Sequence, residues 1–300
     1  MSQQIRFCHI APTNYLQFAT KTNGSHLMLA HLVEQDATYR QFYANLSDNK
    51  PKILDNSAFE LYKQGKDMFP AEKLIDLGKE VNADYIVLPD YPGEPGEKTI
   101  EAAKQWAPKF RQAGFKPFFV PQSKIGDLDD YLTTFKWGLQ SALIDMIGVS
   151  ILGVPNAFGV EKDNKLQRYL SRYKLMSLLH KHGLLKNYVN IPDSELNSQR
   201  MPTKLHFLGM VDGPNEIELM YQTGYSQYIE SWDSSAAVWT ALNHVEFDSS
   251  PTGLVDGKFE KHVDFDFPLI EPADIRWQIM LNNIRTIDRQ ATLIYDQLIV

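Results

Sequence analysis

Residues 116–152, KPFFVPQSKIGDLDDYLTTFKWGLQSALIDMIGVSIL, contain two apolar runs separated by an amphipathic stretch. Lys116–Gln122 and Met146–Leu152 are short and rich in aromatic and β-branched residues, which indicates buried strands. Between them, the apolar residues of Asp127–Ala142 have helical spacing, and Asp127 is placed to cap the first turn. Buried strands that alternate with helices are typical of parallel βα units.

The same alternation extends along most of the chain. Further strands are predicted at Ile5–Ala11, Lys52–Ala58, Tyr85–Asp90, Lys204–Met210 and Tyr228–Asp233. Further helices are predicted at Ala71–Lys79, Glu97–Ala113, Lys165–Leu185, Asn215–Thr223 and Ser234–Asn243.

Seven such units in 300 residues favour an α/β fold, a (β/α)8 TIM barrel, as a single domain over residues 1–300. We expect the eighth strand within residues 245–267, with Lys258–Phe267 as the candidate. The interval Pro272–Leu298 predicts a long terminal helix.

Composition limits the class of protein. Hydrophobic residues make up 43% of the chain, enough for a substantial core. The single cysteine, Cys8, excludes an internal disulfide framework and a multi-cysteine zinc site, and it is typical of a reducing compartment. No apolar run approaches the ~20 residues of a membrane span. We therefore expect a cytoplasmic protein without a membrane partner.

Polar residues follow several predicted strands at their C-terminal ends, which form the active-site face of a TIM barrel. Asp55, Asp90, Gln122 and Asp233 should therefore converge on one rim. Each aspartate alone is more often a cap or turn residue, but carboxylates on one rim repel and acquire separated pKa values. A carboxylate nucleophile with a second carboxylate as acid or base is typical of enzymes that act on glycosidic bonds. No paired-histidine metal motif occurs, so we expect no metal and no other cofactor.

Short motifs at these strand ends resemble those of a known family. The sequence DNSAFE (Asp55–Glu60) resembles the DSGGFQ motif of tRNA-guanine transglycosylases. Similar motifs follow in the family's order: LPDYP at Leu88–Pro92, VPQ at Val120–Gln122, IGVSILG at Ile147–Gly153, HFLGMVDGP at His206–Pro214 and ESWDSSAA at Glu230–Ala237. The subgroup that the motifs resemble most is the DpdA-type enzymes, which insert 7-deazaguanine bases into DNA in phages and bacteria. The resemblance implies a location in the host cytoplasm if a phage encodes the protein.

The resemblance implies a pentosyltransferase that exchanges a base. Asp233 would attack the anomeric carbon of the sugar and form a covalent glycosyl ester, and Asp55 would be the general acid/base. The implied base-binding residues are Asp90 and Gln122 at the purine edge, Phe59 and Leu208 on its faces, and Gly148 and Ser150 in the wall of the pocket. The implied partners are DNA and a free 7-deazaguanine base such as 7-cyano-7-deazaguanine.

Two departures from the family bear on the nucleic acid. The tRNA enzymes carry a cysteine-rich zinc subdomain, whereas this chain has only Cys8. After Asp233 the chain continues SSAAVW, where the tRNA enzymes have a PTR-like stretch. Both departures favour DNA over tRNA. The alternatives are the same exchange on tRNA, a retaining nucleoside or glycoside hydrolase, and a non-catalytic barrel that binds a base or a nucleic acid.

The net charge of −7 confines any phosphate contact to a local patch. Residues 161–186 contain seven basic and two acidic residues. Basic residues spaced three or four apart on a helix can form a stripe, although an ordinary solvated helix face is the alternative. The predicted contacts with the nucleic-acid backbone are Lys165, Arg168, Arg172 and Lys174.

Overall fold

Eight parallel strands form a nearly closed barrel in the computed structural model, which describes residues 5–185, 204–210, 213–247 and 269–292. The strands are β1 (Arg6–His9), β2 (His26–Leu29), β3 (Lys52–Asp55), β4 (Tyr85–Val87), β5 (Lys116–Phe119), β6 (Met146–Ser150), β7 (Lys204–Leu208) and β8 (Ile229–Ser234). Their order is β1-β8-β7-β6-β5-β4-β3-β2, so consecutive strands from β2 to β8 are hydrogen-bonded neighbours and β1 pairs with β8. The predicted α/β class and (β/α)8 TIM barrel are confirmed.

Helices alternate with the strands and cover the outside of the barrel. They are α1 (Leu16–Ala19), α2 (Ala30–Gln35), α3 (Ala37–Asn45), α4 (Ala58–Gln64), α5 (Ala71–Glu80), α6 (Gly96–Gln112), α7 (Leu128–Gln140), α8 (Gly153–Ala157), α9 (Lys165–Lys181), α10 (Asn215–Gln222), α11 (Ala236–Leu242) and α12 (Ile275–Ala291). Asp127 caps α7 as predicted, because its side chain accepts a hydrogen bond from Asp130 N. Within the described ranges, no helix has the length and apolar character that crossing a bilayer requires.

The strands are buried on both faces, and their side chains alternate between the barrel interior and the helical layer. In β5, Phe118 faces inward, where its ring packs edge-on against His206 at 5.5 Å. The next residue, Phe119, faces outward against Trp137 of α7 at 5.1 Å. Large side chains therefore fill the interior below the C-terminal ends of the strands, and a binding site can open only above them.

Strand β2 was not predicted. Its four residues, HLML, run directly into α2 without a turn residue, so the apolar run does not show where the strand ends. Pairing with β3 fixes the strand in the sheet. The segment 248–268, where we expected the eighth strand, lies outside the described residues, and residues 245–247 are not in a strand.

Side chains close the seam between β1 and the segment that leads into β2. Asn23 Oδ1 accepts a hydrogen bond from Phe7 N at 2.9 Å, and the Thr22 hydroxyl donates to Phe7 O. Gly24 lies so close to β1 that a Cβ atom there would be 2.6 Å from the Arg6 Cβ. The close approach therefore requires glycine at this position.

The predicted terminal helix is confirmed over Ile275–Ala291, and residues 293–298 of the prediction lie outside the described part of the chain. Asn283, fully buried on this helix, accepts a hydrogen bond from Phe247 N and donates to Val245 O. The same amide also donates to Ala237 O near the start of α11, so α12 holds both α11 and the segment that follows it.

Arg172 of α9 lies inside the protein. Its guanidinium group is fully buried and forms a two-point ion pair with Glu216 of α10, with Nε 2.7 Å from Oε1. Its remaining N–H groups donate to carbonyl oxygens at the ends of β6 and β7, those of Val149, Leu208 and Gly209. The prediction that Arg172 contacts phosphate is therefore wrong, because its guanidinium group is buried and its hydrogen bonds go to Glu216 and to the ends of β6 and β7.

We predict that Arg172→Met lowers the free energy of unfolding by about 3–5 kcal/mol, because it leaves the Glu216 carboxylate buried without its counter-charge. Urea unfolding at neutral pH measures this change. Lys174→Met, on the exposed side of the same helix, should change stability by less than about 0.5 kcal/mol. Equal effects of the two substitutions would contradict the structural role of Arg172.

Candidate active site

A cavity of about 220 Å³ opens at the C-terminal ends of the strands. Seven of the eight residues predicted for catalysis and base binding line it: Asp55, Phe59, Asp90, Gln122, Ser150, Leu208 and Asp233. Six of them come from the ends of β3 to β8 or from the loops that directly follow, and Phe59 lies in α4, the helix after β3. The residues predicted from the sequence thus meet in one cavity, although the sequence did not predict the hydrogen-bond partners that hold these side chains in place.

Gly148, the eighth predicted residue, does not line the cavity. It lies deeper in the barrel, where an added Cβ atom would be 2.7 Å from Leu208 and 2.9 Å from Phe118. Glycine at this position makes room for neighbouring interior side chains. Ser150 reaches the cavity, and its hydroxyl oxygen accepts hydrogen bonds from Leu152 N and Gly153 N.

Asp233 is held at both carboxylate oxygens. Oδ2 lies 2.8 Å from His206 Nε2, and Oδ1 accepts a hydrogen bond from Gly209 N at 3.2 Å. The second ring nitrogen of His206, Nδ1, is 2.7 Å from the Ser231 hydroxyl, which fixes the orientation of the ring. The Asp233 carboxylate therefore has one fixed direction in the cavity, as a nucleophile requires.

The sequence analysis missed His206, although the pattern carries a signal for it. His206 precedes Leu208 by two residues on β7, and alternate residues of a strand share a face. A histidine on the interior face of a strand that ends at the site was therefore identifiable. Its partner Asp233 was not, because the register of β7 against β8 shifts between Leu205 and His206.

Asp55 ends β3 and is followed by an unusual turn. Ser57 has a left-handed backbone with φ of 59°, and its N–H donates to Asp55 Oδ1 at 2.6 Å. Its hydroxyl group is 2.9 Å from His31 Nδ1, which supports a backbone conformation that few residues other than glycine adopt. Burial, and next the negative charge of Glu60, raise the pKa of Asp55 well above its ordinary value.

Asp90 lies between two amides. Asn56 Nδ2 donates to Oδ1 at 2.7 Å, and Gln122 Nε2 donates to Oδ2 at 2.5 Å. Burial raises the pKa of Asp90 to about 6, against the effect of these hydrogen bonds. Gln122 Oε1 is buried and has no hydrogen-bond partner among the described residues, so it is available to a donor group of a ligand.

Glu60, a further carboxyl group that the sequence analysis did not select, lines the same cavity. It is in the first turn of α4, and burial raises its pKa to about 7. The DNSAFE motif includes this residue but gives no sign that helix geometry turns it inward, toward Asp55.

Aromatic side chains form part of the wall. Phe59 lines the cavity, and Lys63 Nζ lies 4.5 Å from the centre of its ring. Trp232, next to Asp233, points away from the cavity into the core, where its indole N–H donates to Gly209 O at 2.7 Å. The alternation of side chains along β8 explains this difference between neighbours.

The basic residues that were predicted to contact phosphate do not share one face of α9. Lys165 is exposed and Arg168 partly exposed, in the first turn of the helix. Because helices of a TIM barrel begin on the face where strands end, these two residues are on the face that carries the cavity. Lys174 is also exposed, but nine residues after Lys165 it lies half a helical turn around the axis and ~13 Å along it. Lys165 and Lys174 therefore cannot form one contact surface.

No protein-family model matches the chain, and the search of curated proteins finds no matching protein. Within the described ranges, no group of three or more His, Cys, Asp or Glu side chains is arranged to hold a metal ion. The chemistry of the site therefore has to be inferred from the residues that line the cavity.

We predict that Asp90→Asn weakens the pH dependence of stability. The folded state holds the Asp90 proton more tightly than the unfolded state does, so the contribution of Asp90 to the free energy of unfolding falls as pH rises from about 4 to about 6. At about 1.4 kcal/mol per pKa unit, this contribution falls by about 3 kcal/mol, and the Asp90→Asn protein lacks this change. Urea unfolding at pH 4 and pH 7 measures the difference. Asp76→Asn, the same change at an exposed position, should keep the wild-type difference.

Proposed function

We propose that the chain is a glycosyltransferase that replaces guanine in DNA with a 7-deazaguanine derivative, through a covalent glycosyl ester on Asp233. The observation that carries the proposal is the joint placement, in one cavity, of an oriented carboxylate, a carboxyl group with a raised pKa and a polar recognition cluster. The resemblance of the strand-end motifs to the tRNA-guanine transglycosylases supports the same chemistry.

The first half-reaction breaks the bond between base and sugar. An Asp233 oxygen attacks the anomeric carbon while the bonding electron pair leaves with the base, and the oxocarbenium-like transition state is stabilised by the carboxylate. The protonated Asp55 gives its proton to the leaving base. The raised pKa of Asp55 suits this role, because an ordinary aspartate would be ionised at neutral pH.

The second half-reaction returns the enzyme to its starting state. The incoming base gives its N–H proton to the ionised Asp55, and the same nitrogen attacks the anomeric carbon. The ester bond to Asp233 breaks, and its electrons return to the carboxylate. Two displacements at one carbon preserve the configuration of the sugar while the base is exchanged.

Base recognition falls to the cluster around Asp90. The lone pairs of Asp90 that the two amides leave available can accept from the N–H groups of a purine edge, and Gln122 Oε1 can accept another. Phe59 provides an aromatic surface against which a base taken out of its stack can lie. A ligand with several donors on one edge, such as guanine or a 7-deazaguanine, matches this set.

Phosphate binding is assigned to the first turn of α9. Lys165 and Arg168 are on the cavity face, and the net charge of the chain is −7, so attraction to a nucleic-acid backbone must be local. Arg172 has no part in it.

We predict that Asp233→Asn lowers base incorporation at least about 1000-fold, because the amide cannot form the glycosyl ester. The measurement is incubation with DNA or tRNA and labelled 7-cyano-7-deazaguanine, digestion to nucleosides and mass detection. Label in DNA supports the proposal, label in tRNA supports the alternative substrate, and base release without incorporation indicates a hydrolase. Asp76→Asn serves as the exposed control, and wild-type incorporation by Asp233→Asn would contradict the nucleophile assignment.

We predict that replacing Lys165 and Arg168 with glutamine lowers the salt dependence of DNA binding. Each lost phosphate contact reduces the slope of log K against log salt by about 0.9 for duplex and about 0.7 for single-stranded DNA. Fluorescence titration of a labelled oligonucleotide at several salt concentrations measures the slope. Lys174→Gln is the matched control and should leave it unchanged, whereas an unchanged slope in the double variant would remove this surface from the proposal.

A further inference from the structure

Glu60 has an unsatisfied oxygen inside the active-site cavity. Its side chain is buried, with 8% of the residue exposed, and Oε2 has no hydrogen-bond partner among the described residues. A buried carboxyl oxygen without a partner costs free energy, so its presence calls for an explanation. Because Glu60 lines the same cavity as Asp55, the oxygen is available to a bound molecule.

Charged groups on several elements surround Glu60. The negative charge of Asp233 on β8 raises its pKa, and Lys63 on its own helix lowers it by a smaller amount. Glu60 in turn is the largest charged influence on Asp55, ahead of Asp233 and Asp90. Two carboxyl groups this strongly linked do not ionise independently: removing the proton from one makes the other hold its proton more tightly.

We propose that Glu60 is a second acid–base group of this site, which shares one exchangeable proton with Asp55 during base exchange. The inference rests on the proposed function, since it says which side chains hold the transferred proton during that reaction. Its basis is geometric: a carboxyl group in the cavity, next to the proposed acid, with one oxygen left for the substrate.

The proton balance requires one proton per cycle. In the first half-reaction the pair, which holds one proton and one negative charge, gives that proton to the leaving base and becomes doubly charged beside the newly formed, neutral ester of Asp233. In the second half-reaction the N–H of the incoming base returns the proton to the pair, and the electrons of the ester bond return to the Asp233 carboxylate. The loss of Asp233's negative charge on ester formation offsets the negative charge that the pair gains, which favours this ionisation.

The test compares the pH profile of base exchange in the wild type, Glu60→Gln and Glu60→Asp. Without the Glu60 charge, Asp55 loses its proton at lower pH. The alkaline limb of the profile should therefore shift to lower pH by about one pH unit or more. The rate below that limb should fall about 100-fold, the usual contribution of a proton-transfer group. Glu60→Asp keeps a carboxyl group and should restore the limb toward its wild-type position.

Two further measurements separate the possible failures. Glu97→Gln makes the same chemical change in the exposed first turn of α6 and should leave the profile unchanged. Carbon-13 NMR of labelled aspartate carboxyls follows the titration of Asp55 without substrate, and its midpoint should fall in Glu60→Gln. An unchanged midpoint and limb in a folded, active Glu60→Gln protein would overturn the role of Glu60 while leaving base exchange intact. No exchange by the wild type on DNA or tRNA would instead overturn the proposed function.

Discussion

Electrostatic repulsion among four carboxyl groups in one small cavity is the constraint on which this site depends. Asp55, Glu60, Asp90 and Asp233 all line it, and they cannot all be ionised there at low cost. The fold treats them differently. Asp233 has a donor at each oxygen and Asp90 has an amide on each side, whereas Asp55 and Glu60 have fewer donors. Burial raises the pKa of Asp55, Glu60 and Asp90, and in Asp90 the two amides oppose this effect. Differences in hydrogen bonding thus give Asp55, Glu60 and Asp90 different tendencies to hold a proton.

The barrel supports this division through interactions that are not in the cavity. Gly209 N donates to Asp233, and the carbonyl oxygen of Gly209 accepts from both Arg172 and Trp232. Arg172 is in turn fixed by Glu216, so a buried ion pair holds the peptide that orients the nucleophile of the proposed reaction. A buried ion pair contributes little net stability, but its rigid geometry suits it to positioning.

The sequence predicted the barrel and most of the cavity for one physical reason: parallel strands that are buried on both faces are apolar until they end at the site. Asp55, Asp90 and Gln122 were identifiable because each is the first polar residue after such a run, and Asp233 because it ends the predicted strand Tyr228–Asp233. Strand β2 was missed because no turn residue separates it from α2. Arg172 was misassigned because helical spacing shows which residues share a face, but not whether that face meets solvent or the end of a sheet.

Glu60 and His206 were missed for a different reason. Each acts on a partner that residue spacing does not reveal: His206 bonds Asp233 across β7 and β8, and Glu60 influences Asp55 across a left-handed turn at Ser57. Neither partner can be read from spacing, because register shifts and turn geometry decide which side chains meet. The motif residues place Asp233 and Asp55 on one rim, while His206 fixes the direction of the Asp233 carboxylate and Glu60 raises the pKa of Asp55 beyond the effect of burial. The proposed reaction requires two carboxyl groups in different states, because one must be ionised to attack while its neighbour must be protonated to release the base.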